Sequence, residues 1–459
     1  MQNRDDIEAA VAASATRSIE LWEEALSLPS VSAEGKDLAE TADWLEGALK
    51  SLGATTSRLR VPGSPDAVVG RISSGSRRLM IYDHYDVQPV DPIELWETPP
   101  FQPSHRDGKM FARGAADNKG DLIARLCAVG IYQDLFGDFP YEIKFFVEGE
   151  EEIGSPHFDQ ICIENAELLA ADDCVWEGGW FDPDDHPTMY YGCKGLLYLE
   201  FRVRSLNSDQ HSSNAVMAPS APWRLTEALA SLKNPDGSFA IEGFLDDIAT
   251  PNQRASELID NYQMNEEALK EIFGISEFKD GRSGVELRRE IFLSPTANIA
   301  GLRSGYTVPG SSKTVLPAEA SAKMDLRLVP DQDPDDIFAK LRKHLDSRGF
   351  TDVEIESLAK QHPSRSPMDS LLGQAVEETA EDWFSPPTSV LPWMWATGPM
   401  HAIREVLGIP ITSPPGVGRP DSQIHAPNEN ARVTDFLSII GFTVGYLKAY
   451  GDRLSKEPH

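Results

Sequence analysis

Apolar positions recur at helical spacing over residues 6–28 and again over 36–52, where Leu52-Gly53 offers a C-cap. Both stretches predict surface helices. Short apolar runs follow at 66–73 (DAVVGRIS) and 78–83 (RLMIYD), then an amphipathic helix at 119–136, a strand at 141–148, a helix from Pro156 to about Leu169 and a strand at Cys174–Trp176. Strands alternating with helical segments predict an α/β layer: a mixed, largely parallel sheet flanked by helices.

The pattern changes after Gly195. LLYLEFRVRS (196–205) and ASAKMDLRLVP (320–330) alternate apolar and polar residues as half-exposed antiparallel strands do, and helical segments follow them at 221–232 and 334–348. A two-layer α+β block is predicted. Two irregular acidic stretches, NPDGSFAIEGFLDDIATPNQ and EFKDGRSGVEL, read as surface excursions from it. Around His362-Pro363 the first pattern returns, with helices at 369–383 and 433–450. The chain therefore divides into a large domain, residues 1–194 and 363–459, and a small one inserted at 195–362.

A length of 459 residues agrees with two domains, because single cores stop growing well below that size. Against 73 Asp+Glu stand 42 Lys+Arg, a net charge of −31 that repels both nucleic acid and an anionic membrane. Neither is an expected partner. The N-terminus MQNRDDIEAAVAASATRS carries acids where a secretory signal needs an apolar core, and no stretch reaches about 18 apolar residues, so a cytoplasmic protein is expected. Cys127, Cys162, Cys174 and Cys193 lack CxxC spacing and read as small buried hydrophobes.

Candidate chemistry gathers where the large domain's strands end. KFFVEGEEEIGS (144–155) runs from a buried strand straight into Glu148, Glu150, Glu151 and Glu152, although burying an unpaired carboxylate is costly. YDHYDVQP (82–89) sets His84 and Asp86 two apart, on one face of an extended chain, where a carboxylate can hold an imidazole for a metal. Asp117 precedes the 119–136 helix, and CVWEGG (174–179) puts Glu177 beyond another strand. Each has a plain structural reading alone: a polar pair, an N-cap, a solvated loop. Four strand ends that all offer metal-type ligands favour a common site, since ligands of open α/β sheets bind at the carboxyl ends of strands.

With these residues in view the chain resembles the M20 metallopeptidases, most closely the branch of carnosine-type and cytosolic nonspecific dipeptidases. The likeness runs through YDHYDVQP, WETPPF (96–101), DGKMFARGAADNKG (107–120), EGEEEIGS (148–155), DQHSS (209–213), KTVLPAEASAKMDLRLVP (313–330) and IHAPNEN (424–430). It implies a zinc-peptidase-like catalytic domain with an inserted, ferredoxin-like α+β lid and dimerisation domain. It further implies two divalent cations per subunit, zinc first, with manganese or cobalt as alternatives. His84 then binds one metal, Asp117 bridges both, Glu152 and His425 hold the second, and Glu177 completes the first, with Asp172 and Asp173 as rivals. Glu151 is the implied general base and Asp86 the catalytic partner of His84.

The same resemblance gives His211 the oxyanion in a partner subunit's site, and Thr314, Arg327 and Thr397 the substrate; the plain structural readings are a surface loop histidine for His211, which the motif context disfavours, and an exposed strand residue for Arg327. Where relatives carry a glycine-rich turn, this chain has WMWATGPM (393–400), with Trp395 and Ala396 replacing glycines, so a narrower or more aromatic pocket is expected. A cis peptide after Asp117 is also implied. Glu148 and Glu150 receive no chemical role, Trp96 and Phe101 read as packing, and His105, His157, His186, His344, His362, His401 and His459 as structural or surface residues. The implied activity is amide hydrolysis of dipeptides or short peptides by a homodimer. Alternatives are an N-acyl-amino-acid amidohydrolase using the same centre, or a catalytically silent binding protein.

Overall fold

The computed structural model describes residues 4–310 and 312–456; His459 lies outside them. A six-stranded sheet carries the large domain, in the order Thr55–Leu59, Ala67–Ile72, Glu142–Glu148, Arg78–His84, Asp173–Val175, Ile411–Thr412. Its first two pairings are antiparallel and the other three parallel, so the sheet is mixed and largely parallel as its pattern suggests. Strands Arg78–His84 and Glu142–Glu148 are buried along nearly their whole length. Such strands read as continuous apolar runs because both faces are covered.

The two faces are separable by side-chain alternation. Tyr82 stacks on Trp176 at 3.8 Å and meets Phe158 edge-on, with Phe158 stacked in turn on Phe146. Asp83, pointing the other way, is hydrogen-bonded by Asn118 and ion-paired with Arg125 of helix Lys119–Phe136. That helix packs against Arg4–Leu26 and Val433–Leu454. It is buried on more than one face: Lys119, Asp121 and Arg125 are buried with the apolar residues. They tolerate burial because each is bonded, Lys119 Nζ to the Ala25 carbonyl (3.0 Å), Arg125 to the Trp176 carbonyl (3.1 Å) and Asp121 to the Val417 amide (3.0 Å). The helix expected from Pro156 to Leu169 is two short ones, Phe158–Glu164 and Ala166–Leu169, parted at Asn165.

A second apolar core lies elsewhere in the chain. Strand Gly195–Arg204 pairs antiparallel with Glu319–Leu328 on one side and Glu354–Gln361 on the other, and Asn298–Ser304 forms the edge beyond Glu319–Leu328. With helices Ala221–Ala230 and Pro334–Ser347 the element order is β-α-β-β-α-β, the ferredoxin-like arrangement. Leu197, Leu199 and Phe201 of the first strand meet Leu225, Ile337 and Leu341 of the helices.

The acidic stretches depart from expectation. Ile241 and Phe244 are buried in the second core, and three helices, Gln253–Asn261, Glu266–Phe273 and Gly284–Leu293, fill much of the interval before Asn298. Ile259, Tyr262 and Phe292 from this interval join the first core rather than the second. Among the described residues, no helix is long and apolar enough to cross a membrane.

Candidate active site

Parallel central strands deliver His84 and Glu148 side by side at their carboxyl ends, in register as neighbours. Buried His84 points Nε2 at Asp117 Oδ1, 3.2 Å away, while Asp117 Oδ2 lies 3.1 Å from Nε2 of His425. His425 Nε2 is also 3.1 Å from Glu152 Oε2. One carboxylate thus turns its two oxygens toward two imidazoles, the disposition of a bridging ligand. His84, Asp117 and Glu152 each offer a ligand atom within 4.8 Å of the others. The Asp117-Asn118 peptide is cis, as the resemblance implied.

Asp86 holds these strand ends together. Its Oδ1 lies 3.4 Å from His84 Nδ1 and accepts the Glu151 amide at 3.2 Å, and Oδ2 accepts the Glu152 amide at 3.1 Å. With Nδ1 also 3.1 Å from the Asp86 carbonyl, Nε2 of His84 is left to face the site. Gln88 Nε2 donates to the carbonyl and to Oε2 of Glu152.

A residue given no role from the sequence anchors the opposite wall. Buried Glu429 accepts the amides of Ala116 and Asp117 on Oε1, and on Oε2 the Gly114 amide and Arg113 Nη1, all within 2.8–3.0 Å. It fixes the loop that presents Asp117. Its signal was a lone acid inside IHAPNEN, which nothing in the spacing separates from a solvated one. His425 adopts φ 62°, a left-handed conformation that disfavours a non-glycine residue by roughly 1–3 kcal/mol and is found at functional sites. Its loop is tied down through Asn428, which accepts the Glu97 amide and donates to the Leu95 carbonyl.

Strand register separates Glu177 from its rivals. Asp173 pairs with Leu79 and Val175 with Ile81, so Glu177 follows the strand toward the end where His84 lies, whereas Asp172 and Asp173 sit at the start. Asp172 accepts the Arg78 amide and Asp173 receives the Tyr450 hydroxyl, at 2.8 and 3.0 Å. Oε1 of Glu177 and Oε1 of Glu152 are buried without a hydrogen-bond partner. Buried carboxylate oxygens are seldom left so; the donor set fits divalent cations, which His84, Asp117, Glu152, Glu177 and His425 are placed to hold.

Electrostatics point the same way. Burial pushes the Glu177 carboxyl up to about 8, against the pull of His84 and with repulsion from Asp117. Glu151 is raised well above the carboxylate range by burial, then by the Glu177 charge. Asp117 is held low despite burial, because His425 and His84 hydrogen-bond to it, and His425 rises to about 10 through its bonds to Asp117 and Glu152. So many acids gathered at the strand ends would be relieved by bound positive charge. The remaining two glutamates of the run have structural partners: Glu148 accepts the Tyr82 and Ser155 hydroxyls at 2.6 and 3.0 Å, and Glu150 pairs with His157 Nδ1 at 2.9 Å.

Of the expected substrate residues, two meet. Arg327 Nη1 on strand Glu319–Leu328 donates to Thr397 Oγ1 at 2.5 Å, and Thr397 Oγ1 donates to the Gly195 carbonyl. Thr314 is exposed. His211 is exposed too, with Nδ1 2.8 Å from Ser213 Oγ, and none of its described bonds reaches the cluster. Trp395, 39% exposed, packs edge-on against Phe292.

Comparison with known proteins ends in one place. The model of peptidase family M20/M25/M40 matches residues 80–449. The Cys-Gly metallodipeptidase dug1 of Schizosaccharomyces pombe is 29% identical over 70% of this chain and 71% of its own. The Beta-Ala-His dipeptidase of Mus musculus is 27% identical over 66% of this chain and 63% of its own. Among solved structures, the M20 family metallo-carboxypeptidase Sso-CP2 from Sulfolobus solfataricus superposes with a TM-score of 0.90 at 36% identity, covering 95% of this chain and 99% of that one.

Proposed function

The chain belongs to peptidase family M20/M25/M40, and from that membership and the site's geometry we propose that it hydrolyses the amide bond of dipeptides or short peptides at a two-metal centre. It is a metal-dependent hydrolase. The carrying observation is the Asp117 carboxylate with one oxygen on His84 and the other on His425. His84, Asp117 and Glu177 would hold one divalent cation, and Asp117, Glu152 and His425 would hold the other. One imidazole per cation among oxygen donors suits zinc, with manganese or cobalt as alternatives. When bound, the cations supply Lewis acidity, which polarises a carbonyl and acidifies water.

The protein's own groups do the rest. Glu151, whose amide is fixed by Asp86, takes a proton from the attacking water and returns it to the amine nitrogen as the carbon–nitrogen bond breaks. Burial and neighbouring acids raise its proton affinity, which suits a group that must hold that proton between the two steps. Arg327 and Thr397 receive the substrate carboxylate, a task for which the guanidinium's paired donors are suited, and Thr314 borders the same lid. His211 donates to the developing oxyanion of a partner subunit's site, consistent with its exposed position.

The division 1–194, 195–362 and 363–459 is kept, supported by two separate apolar cores, though helices 253–293 pack on the first. A homodimer through the inserted domain is supported by the exposed edge strand Asn298–Ser304, where Ile299 and Leu302 face outward. Cytoplasmic localisation is supported by four free cysteines. The deciding experiment offers the zinc- or manganese-loaded protein a dipeptide panel and matched N-acetyl amino acids. Cleavage of dipeptides alone is expected; cleavage of acetyl groups alone moves the assignment to an amidohydrolase, and cleavage of neither to a silent binder.

A further inference from the structure

A cavity of about 520 Å³ opens between three parts of the chain that are remote in sequence. Its walls are Trp180 after Glu177, Tyr262, Leu287 and Ile291 from the inserted helices, Trp395, and Ile424 beside His425. The charged and amide side chains on its rim are already engaged: Asn265 donates to Asp184, Asp182 accepts the amides of Asp184 and His186, and Arg419 is ion-paired with Asp435 and Asp185. What the cavity can offer a guest is therefore apolar and aromatic surface, in the size range of small-molecule sites.

Position identifies the guest. Three of the lining residues are sequence neighbours of the reaction centre: Ile424 adjoins His425, Trp180 follows Glu177 across two glycines, and Trp395 is two residues from Thr397. Thr397 in turn is bonded to Arg327, the pair assigned to the substrate carboxylate. Resting on the dipeptidase reading above, we infer that this cavity receives the side chain of the substrate's C-terminal residue and selects a large apolar or aromatic one. Trp395, standing where a glycine is expected, supplies the aromatic wall; helices 253–293 supply the floor.

The test is a ratio. For the zinc-loaded protein, kcat/KM for Ala-Phe over Ala-Gly is expected at about 10–100, the discrimination that burial of a bulky apolar group supports. Trp395→Ala, and Ile291→Trp, which fills the cavity, each lower that ratio by about 10-fold. Ala-Gly turnover in the same samples reports folding and the metal centre. Equal losses on both substrates, or a wild-type ratio near one, overturn the inference. Calorimetry on Glu151→Gln protein gives a reading without turnover: Ala-Phe binds more tightly than Ala-Gly, with a negative heat-capacity change, if the cavity is the subsite. Absent hydrolysis with that preference intact sinks the dipeptidase reading and leaves the cavity's assignment standing. Should Phe273→Asp at the rim dissociate an oligomer and leave the ratio unmoved, the face is a subunit contact and the inference falls.

Discussion

Arg327 and Thr397, 70 positions apart, meet at 2.5 Å, joining a strand of the inserted domain to a loop of the large one. An arginine so placed has a neutral hydroxyl as its described hydrogen-bond partner, and the Thr397 hydroxyl is itself turned to a carbonyl. The guanidinium keeps donors for an incoming carboxylate. Arg327→Ala is expected to lower kcat/KM for a free dipeptide by about 10–100-fold, the worth of a charge-assisted hydrogen bond, and to leave a C-terminally amidated substrate unchanged. Lysine in its place does not restore the activity, because a single ammonium lacks the fork. Steady-state kinetics on the two substrates decide it.

Glu151 is expected to act on protons alone. Glu151→Gln loses about 10²–10⁴ in kcat and keeps two metals per chain by elemental analysis. Normal turnover in that protein removes the general-base assignment.

The centre should lose its cations in steps. His425→Ala retains one metal per chain and His84→Ala the other, while Asp117→Ala weakens both. Removing all metal with a chelator abolishes hydrolysis and lowers the thermal midpoint, since each cation held at 100 times its Kd adds about 2.7 kcal/mol to the folded state. A midpoint indifferent to chelation contradicts the arrangement.

Glu429 is predicted to matter without touching substrate. Glu429→Ala strands buried Arg113 and frees three amides, a loss of about 3–5 kcal/mol in denaturant unfolding, and it weakens metal affinity through the loosened Asp117 loop. A variant with wild-type stability and metal content refutes this.

Asp173, at the start of its strand and away from His84, is expected to set a pH dependence. Burial, with the nearby Asp172 charge, raises its carboxyl from 3.8 to about 6 against the Tyr450 hydrogen bond. A raised acid stabilises the fold fully below its unfolded value and loses that contribution as pH climbs through the folded one. Between pH 4 and 6 the wild type should therefore lose about 1–3 kcal/mol that Asp173→Asn does not. Parallel unfolding curves for both proteins across that range count against it.

How far the sequence reaches is visible in particular residues. His84, Glu148 and Glu177 were legible because strands buried on both faces are written as apolar runs, and the polar residue that stops a run marks the strand's end. The resemblance already favoured Glu177; that it lies toward the His84 end while Asp172 and Asp173 lie at the strand's start is read from the pairing of Asp173 with Leu79, a relation between strands that no single run contains. Glu429 was hidden for a related reason: its partners are backbone amides, and amides have no letter in a sequence. The burial of Lys119, Asp121 and Arg125 was likewise hidden, because it depends on hydrogen bonds to carbonyls and an amide remote in the chain. The helices at 253–293 were missed because their apolar faces are covered by a core built almost entirely from other parts of the chain.

The proposed ligand set spans His84 to His425, with the whole inserted domain threaded between Glu177 and the second histidine. During synthesis, a ribosome that has released the first 362 residues has produced four of the five proposed donors but not the imidazole of His425. The unfinished polypeptide is thereby a peptidase without its chemistry, disarmed until translation delivers the loop that closes the centre.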